Sequence, residues 1–298
     1  MLSLHTNSAA LSAQNSISRT QSALSTSQTR LSTGFRVNSA MDDAAGLQIA
    51  TRLKYQTSGM TVAMRNTQNS ISLMQTAEGA LDETTNILVR MKDLATQAAD
   101  GSSNDADRTS MQAEFDALTN ELTNIVGNTT FGGQKLFNTD TTAGTSTFQN
   151  ASLTFQIGAS TGETLKFDLT TQVSAMQSAI GAAATNFTTT GVAGTTPGSE
   201  LSTSAASANS FIDLLASAID SVSVVRSNLG ATSNRLDHVY NNLANVSTNT
   251  KAAEGRIMDT DFAAESSNMT SQQMLLQAGT AMLKQSNSTS SLVMSLLQ

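Results

Sequence analysis

Residues 71–91 read ISLMQTAEGALDETTNILVRM, with Ile71, Met74, Leu81, Leu88 and Met91 falling three or seven apart. That spacing puts them on one stripe of an α-helix and polar residues on the rest. Outward from this stretch, neither proline nor a turn cluster interrupts the chain from Asp42 to about Ala99. At about 1.5 Å per residue this permits a helix on the order of 85 Å long. The stop is Asp100-Gly-Ser-Ser-Asn-Asp105, a run of strong turn formers. A third helix is predicted from Asp107 or Arg108 to about Val126, with Met111, Phe115, Leu118, Leu122 and Ile125 on one face.

Both ends of the chain carry seven-residue spacings. Leu4 and Leu11 are seven apart, as are Ile17, Leu24 and Leu31, and near the other end Met269, Leu276, Leu283 and Leu297 follow the same rule, interrupted at Ser290. Each run makes one apolar stripe on a helix that wants a helical partner. The surrounding Ser, Thr and Asn are mediocre helix formers, so both ends are predicted to order only when packed. A break is expected at Gly34. Beyond it Ser39-Ala-Met-Asp42 matches a capping box, with Ser39 as the N-cap and Asp42 three residues on.

The middle differs. Turn-prone residues gather between Gly127 and Ser204, including Gly132-Gly133 and the sole proline, Pro197. Leu153, Phe155 and Ile157 alternate with polar residues, and so do Leu165, Phe167 and Leu169 after a glycine-containing loop, which predicts a β-hairpin at about 152–170. Small residues dominate from Met176 to Gly198, which reads as a surface loop or tiny insert. The fold class expected is mainly α: long antiparallel helices in a coiled-coil bundle with one small β-hairpin region.

Composition narrows the function. Of 298 residues 39% are hydrophobic, 13% charged and 4% aromatic, with no cysteine and no tryptophan, so one large core is not expected. The net charge of −7 argues against a nucleic-acid partner, which needs a basic stripe. No run of about 18 apolar residues suggests a membrane span, and Met1-Leu-Ser-Leu-His5 lacks the basic segment and apolar core of a cleavable signal. His5 and His238 stand far apart, and the chain has no His-Glu-x-x-His, Gly-Lys-Ser/Thr phosphate loop or Gly-x-Ser-x-Gly. Asp259, Asp261 and Glu265 read as charges at the start of a helix near Phe262 rather than as metal ligands. No enzyme, cofactor or metal is expected.

Several of these segments together resemble bacterial flagellin. Thr29-Arg-Leu-Ser-Thr-Gly-Phe-Arg-Val-Asn-Ser-Ala-Met-Asp-Asp-Ala-Ala-Gly-Leu-Gln-Ile-Ala50 is similar to the family's N-terminal region, as are Arg65-Asn66, Ile71–Leu81 and Thr130-Phe-Gly-Gly-Gln-Lys-Leu136. Arg256-Ile-Met-Asp-Thr-Asp-Phe-Ala-Ala-Glu265 and Gln277-Ala-Gly-Thr280 are similar to its C-terminal region. The resemblance covers about residues 1–137 and 203–298, and the short centre implies that the outer domains of larger flagellins are missing.

What the resemblance implies is a structural protein that self-assembles into the helical flagellar filament for motility. The terminal helices would form the inner domain D0, from residues 1–33 and 255–298. Residues 34–43 would be a linker, with 44–202 and 203–254 making up D1. The resemblance further implies a homo-polymer exported by the flagellar type III system to the cell exterior. Hook-associated and cap proteins would be neighbours, and an export chaperone would bind the C-terminal helix. Arg90, Leu94 and Glu114 match family positions that contact Toll-like receptor 5, with Lys92 and Asp93 where the family often has Arg and Glu. In the plant-receptor epitope, Thr29–Ala50, Phe35 replaces a usually small polar residue and Met41 a usual Lys. The alternatives are a hook-filament junction protein with the same D0/D1 plan, a flagellin carrying a metalloprotease insert, and a coiled-coil adhesin.

Overall fold

The computed structural model describes residues 7–138, 147–148, 152–192, 194 and 197–296. In chain order the elements are α1 (Ser8–Thr33), α2 (Ala44–Ala98), α3 (Asp105–Asn128), β1 (Thr130–Phe131), β2 (Gln134–Lys135), β3 (Leu153–Gln156), β4 (Thr164–Phe167), α4 (Thr170–Ala183), α5 (Ala205–Met258) and α6 (Phe262–Leu296). The fold is mainly α. Beside the expected hairpin, β3 paired antiparallel with β4, stands a smaller one, β1 with β2. The smaller hairpin turns on Gly132 and Gly133, whose φ of +59° and +83° is the backbone a two-residue hairpin loop demands.

The chain forms two compact units, Ser58–Ser247 and the remainder on either side, up to Thr57 and from Thr248. The resemblance implies boundaries at 43/44 and 254/255. The packing instead divides within α2 and α5, which run unbroken through those positions.

Within residues 58–247 seven-residue series of buried side chains run along α2 and α5. On α2 Met60, Thr67, Met74, Leu81, Leu88 and Ala95 are buried, and so are Ala63, Ser70, Ala77, Thr84, Met91 and Ala98. On α5 the buried series is Ala208, Leu215, Val222, Leu229 and Leu236. This is the period with which helices pack knobs into holes. Half of the second α2 row is Ala, with Ser and Thr between, so the stripe is narrow and asks for few large side chains. The buried hydroxyls of Thr67, Ser70 and Thr119 donate to the carbonyls four residues back at 2.8–2.9 Å, so none is left unsatisfied.

The narrow stripes converge on one continuous core, contrary to the expectation from composition. It joins Ile71–Ala98 of α2, Met111–Val126 of α3, the hairpins, α4 and α5. Phe137, Phe148 and Phe167 form an aromatic group within it, with ring centroids 5.6 and 6.1 Å apart. The segment from Met176 is also corrected. Residues 170–183 are the helix α4, and Val173, Met176, Ile180 and Ala183 are fully buried. Its apolar residues recur at three- and four-residue steps among so many Ala, Ser and Thr that the stripe is easily missed. Asp116 and Glu200 tie the following segment to α3, through Gly198 N–H and the Gln112 side chain.

Helix α3 begins at Asp105, two or three residues earlier than expected. Asn104 and Asp107 exchange the two hydrogen bonds of a capping box, at 2.9 and 3.2 Å.

Candidate subunit-contact surfaces

In the terminal unit α1 packs along α6. Asn7 Nδ2 donates to Ser286 O and Oγ at 3.3 and 3.2 Å, Ile17 lies against Gly279, and Arg30 pairs with Glu265 at 3.9 Å. Numbers rise on one helix as they fall on the other, so the pair is antiparallel. Leu24 is buried in this seam, and Ile17, Leu31, Met269, Leu276 and Leu283 are half-buried. Leu4 and Leu297 lie outside the described residues. Leu11 departs from the expected stripe at 63% exposure. It stands six residues from Ile17, about 120° around the helix, so one partner helix cannot cover both phases.

A second apolar row lies on α6. Met274, Leu275 and Met282 are 59%, 61% and 69% exposed. Consecutive positions turn about 100°, so these residues point well away from Leu276 and Leu283 at the seam. Leu275 and Met282 are themselves seven apart, a second series one residue out of phase with Leu276 and Leu283, and Met274 precedes it; the single series at Met269, Leu276 and Leu283 does not include them.

The two segments that lead into the terminal helices are stitched together. Gly34 ends α1 in the left-handed conformation, its N–H bonded to Arg30 O at 2.8 Å. Arg36 N–H donates to Met258 O at 2.6 Å and Thr260 N–H to Gly34 O at 3.0 Å, flanking a bridge between Phe35 and Asp259. Asp261 Oδ1 accepts from the N–H groups of Ala263 and Ala264 and so caps α6. Glu265 is buried against Arg30. No group of three potential metal ligands exists among the described residues.

The cap assigned to Ser39 and Asp42 moves by four residues. Asp42 Oδ2 accepts from the N–H groups of Asn38 and Ser39 and from the Ser39 hydroxyl, which closes a turn ahead of the helix. Those bonds hold its carboxyl below the usual aspartate range. The N-cap of α2 is Asp43, whose Oδ1 accepts from Gly46 N–H at 2.8 Å. Two adjacent aspartates fit the motif one register apart, and the turn takes the first.

Of the three receptor-contact candidates, two are at the surface. Arg90 and Glu114 are exposed and joined, Nε and Nη2 both reaching Oε1 at 2.9 and 2.7 Å. Leu94 is 2% exposed and belongs to the core of this subunit. By length and composition α5 is the one described helix that could cross a membrane. Its Leu215, Ala218, Val222 and Val225 are instead buried in the core.

The arrangement defines a class: a helical protein whose paired terminal helices leave an apolar row of α6 uncovered by its own chain. Comparison with known proteins narrows it. The bacterial flagellin N-terminal helical region matches residues 4–142 and the bacterial flagellin C-terminal helical region residues 212–297. Flagellin A of Vibrio anguillarum is 35% identical, with all of both chains covered, over an alignment of 387 positions. That length exceeds the 298 residues here, so the relative carries insertions. Flagellin A of Vibrio cholerae is 33% identical, again with both chains covered. A putative flagellar hook-associated protein from Vibrio parahaemolyticus shares the fold at a TM-score of 0.56 and 17% identity, with 73% of this chain and all of that one covered. The chain belongs to the bacterial flagellin family. It is a structural subunit of the flagellar filament, which is exposed outside the cell, and the family is structural rather than enzymatic.

Proposed function

We propose that the terminal pair and the row Met274, Leu275 and Met282 are the surfaces on which one subunit receives the next. The observation that carries this reading is the exposure of that row beside a seam that already uses the other face of α6. Burial of apolar area is worth roughly 25 cal/mol per Å², and a helix with two apolar faces and one partner has that energy still to gain. Association is heterologous: one surface binds a different surface of the next copy, and a rotation that does not close produces a helical filament. Residues 1–33 and 255–298 act as D0 and residues 44–254 as D1.

The chain reaches the exterior through the flagellar type III apparatus, with a chaperone holding the C-terminal helix until export. The Ser-, Thr- and Asn-rich terminal helices, weak on their own, suit a chain that must stay unpolymerised until then. Arg90 and Glu114 are the positions through which an innate immune receptor of the Toll-like receptor 5 type engages D1, and Leu94 supports them from beneath. Deleting residues 1–30 or 265–298 is expected to leave a folded, soluble core that does not polymerise. A truncated chain that still builds normal filaments overturns the reading.

A further inference from the structure

Methionine is abundant in this chain, 13 of 298 residues, and those described range from sealed to open, with Met64, Met258 and Met269 half-buried. Met74, Met91 and Met176 are sealed in the core at 1% exposure or less. Met274 and Met282 sit in the open on α6, eight residues apart and on one side, flanking Leu275. A thioether is soft, polarisable and readily oxidised, and its susceptibility follows its exposure. Leucine would fill the same apolar role without that chemistry, as Leu275 does between them.

We infer that Met274 and Met282 form an oxidation-sensitive site for small peroxide oxidants, which sets whether α6 can be covered by another subunit. The inference rests on the assembly surface proposed above. In each event a lone pair on the sulfur attacks one peroxide oxygen and the O–O bond breaks. That oxygen stays on sulfur as the sulfoxide, the sulfur gives up two electrons, and the peroxide leaves as water after proton transfer. The product is a polar, chiral group in the middle of an apolar row. Its oxygen must be desolvated when a second chain covers the face, with no donor on Leu275 to receive it. Oxidation before assembly therefore blocks the surface, and assembly first shields the sulfurs.

The test uses the full chain and hydrogen peroxide. Sulfoxide formation is followed at each methionine by peptide mass spectrometry, and filament formation by sedimentation and electron microscopy. Met274 and Met282 are expected to oxidise at least about tenfold faster than Met74, Met91 and Met176 in the free subunit. In preformed filaments they are expected to slow towards the buried rate. Met41, 97% exposed in the segment before α2, oxidises as well, and Met64, Met258 and Met269 are half-buried, so the experiment is run on Met41→Leu protein and the loss of assembly is assigned to Met274 and Met282 by the double substitution. The oxidised subunit is expected to lose assembly, and the same treatment to leave the doubly substituted Met274→Leu, Met282→Leu protein competent. Equal rates at Met274, Met282 and the buried methionines overturn the site. Fast oxidation with undiminished assembly overturns the switch while leaving the assembly surface standing. Failure of the unoxidised protein to assemble overturns the underlying reading, and the mass map still reports the reactivity.

Discussion

Gly279 of α6 and Ile17 of α1 approach so closely that a Cβ placed on Gly279 would lie 2.9 Å from Ile17 Cγ1. Glycine inside a helix costs about 1 kcal/mol relative to alanine, and here the loss purchases contact between two helices that have few large apolar residues to offer each other. Gly279→Val is expected to force the pair apart and destabilise it by about 1–3 kcal/mol. Hydrogen exchange should show faster exchange in α1 and α6 while the amides of Leu81 and Leu229 keep their protection. Unchanged exchange in α1 would mean that the pair does not depend on this contact.

Met176 provides a second check, because sequence and structure assign it different environments. As a surface-loop residue it could become Ser with an effect within about 0.5 kcal/mol. Fully buried on α4, its replacement by Ser is expected to cost about 2–5 kcal/mol in denaturant unfolding of the full chain.

The contrast shows what can be read from the chain and what cannot. The long helices were legible because Met74, Leu81, Leu88 and Met91 are large residues on a clean stripe without proline. Helix α4 was not, because Ala, Ser and Thr separate its few large residues. Nor was the burial of Leu94, since a residue on the stripe of a helix looks alike whether the stripe meets the chain's own core or a partner. The terminal seam was legible as two matching series. The phase difference between Leu11 and Ile17 decides which residues enter it, and that follows only from the antiparallel pairing with α6. Asp43 rather than Ser39 caps α2 because the turn at Asn38–Asp42 consumes Asp42.

Arg90 and Glu114 give a prediction that separates recognition from folding. Exposed ion pairs are worth about 0–1 kcal/mol, so Arg90→Ala is expected to leave unfolding nearly unchanged. In a cytokine-reporter assay the same substitution is expected to reduce receptor signalling, and full signalling would remove Arg90 from the contact. Leu94→Ala is expected to cost about 2–5 kcal/mol by leaving a cavity, so its loss of signalling would follow from unfolding rather than a lost contact.

Acid should loosen the segment after α4. Burial pushes the Glu200 carboxyl up, but hydrogen bonds from the Thr185 hydroxyl and N–H and from the Gln112 side chain outweigh it and leave it below its ordinary value of 4.5. A depressed carboxylate contributes stability that is full above the ordinary value and lost as pH falls through the depressed one. The thermal midpoint should therefore drop below about pH 4.5 more steeply in the native chain than in Glu200→Gln. Parallel pH profiles for the two proteins would remove Glu200 from the acid response.

The central claim is that the face of α6 bearing Met274, Leu275 and Met282 is where another subunit binds. Electron microscopy of the purified full chain under polymerising conditions, with Leu275→Asp beside it, tests this most directly. Long hollow filaments from the native chain, with a folded but monomeric Leu275→Asp protein, are the predicted result. Filaments of normal length and yield from Leu275→Asp would contradict the account.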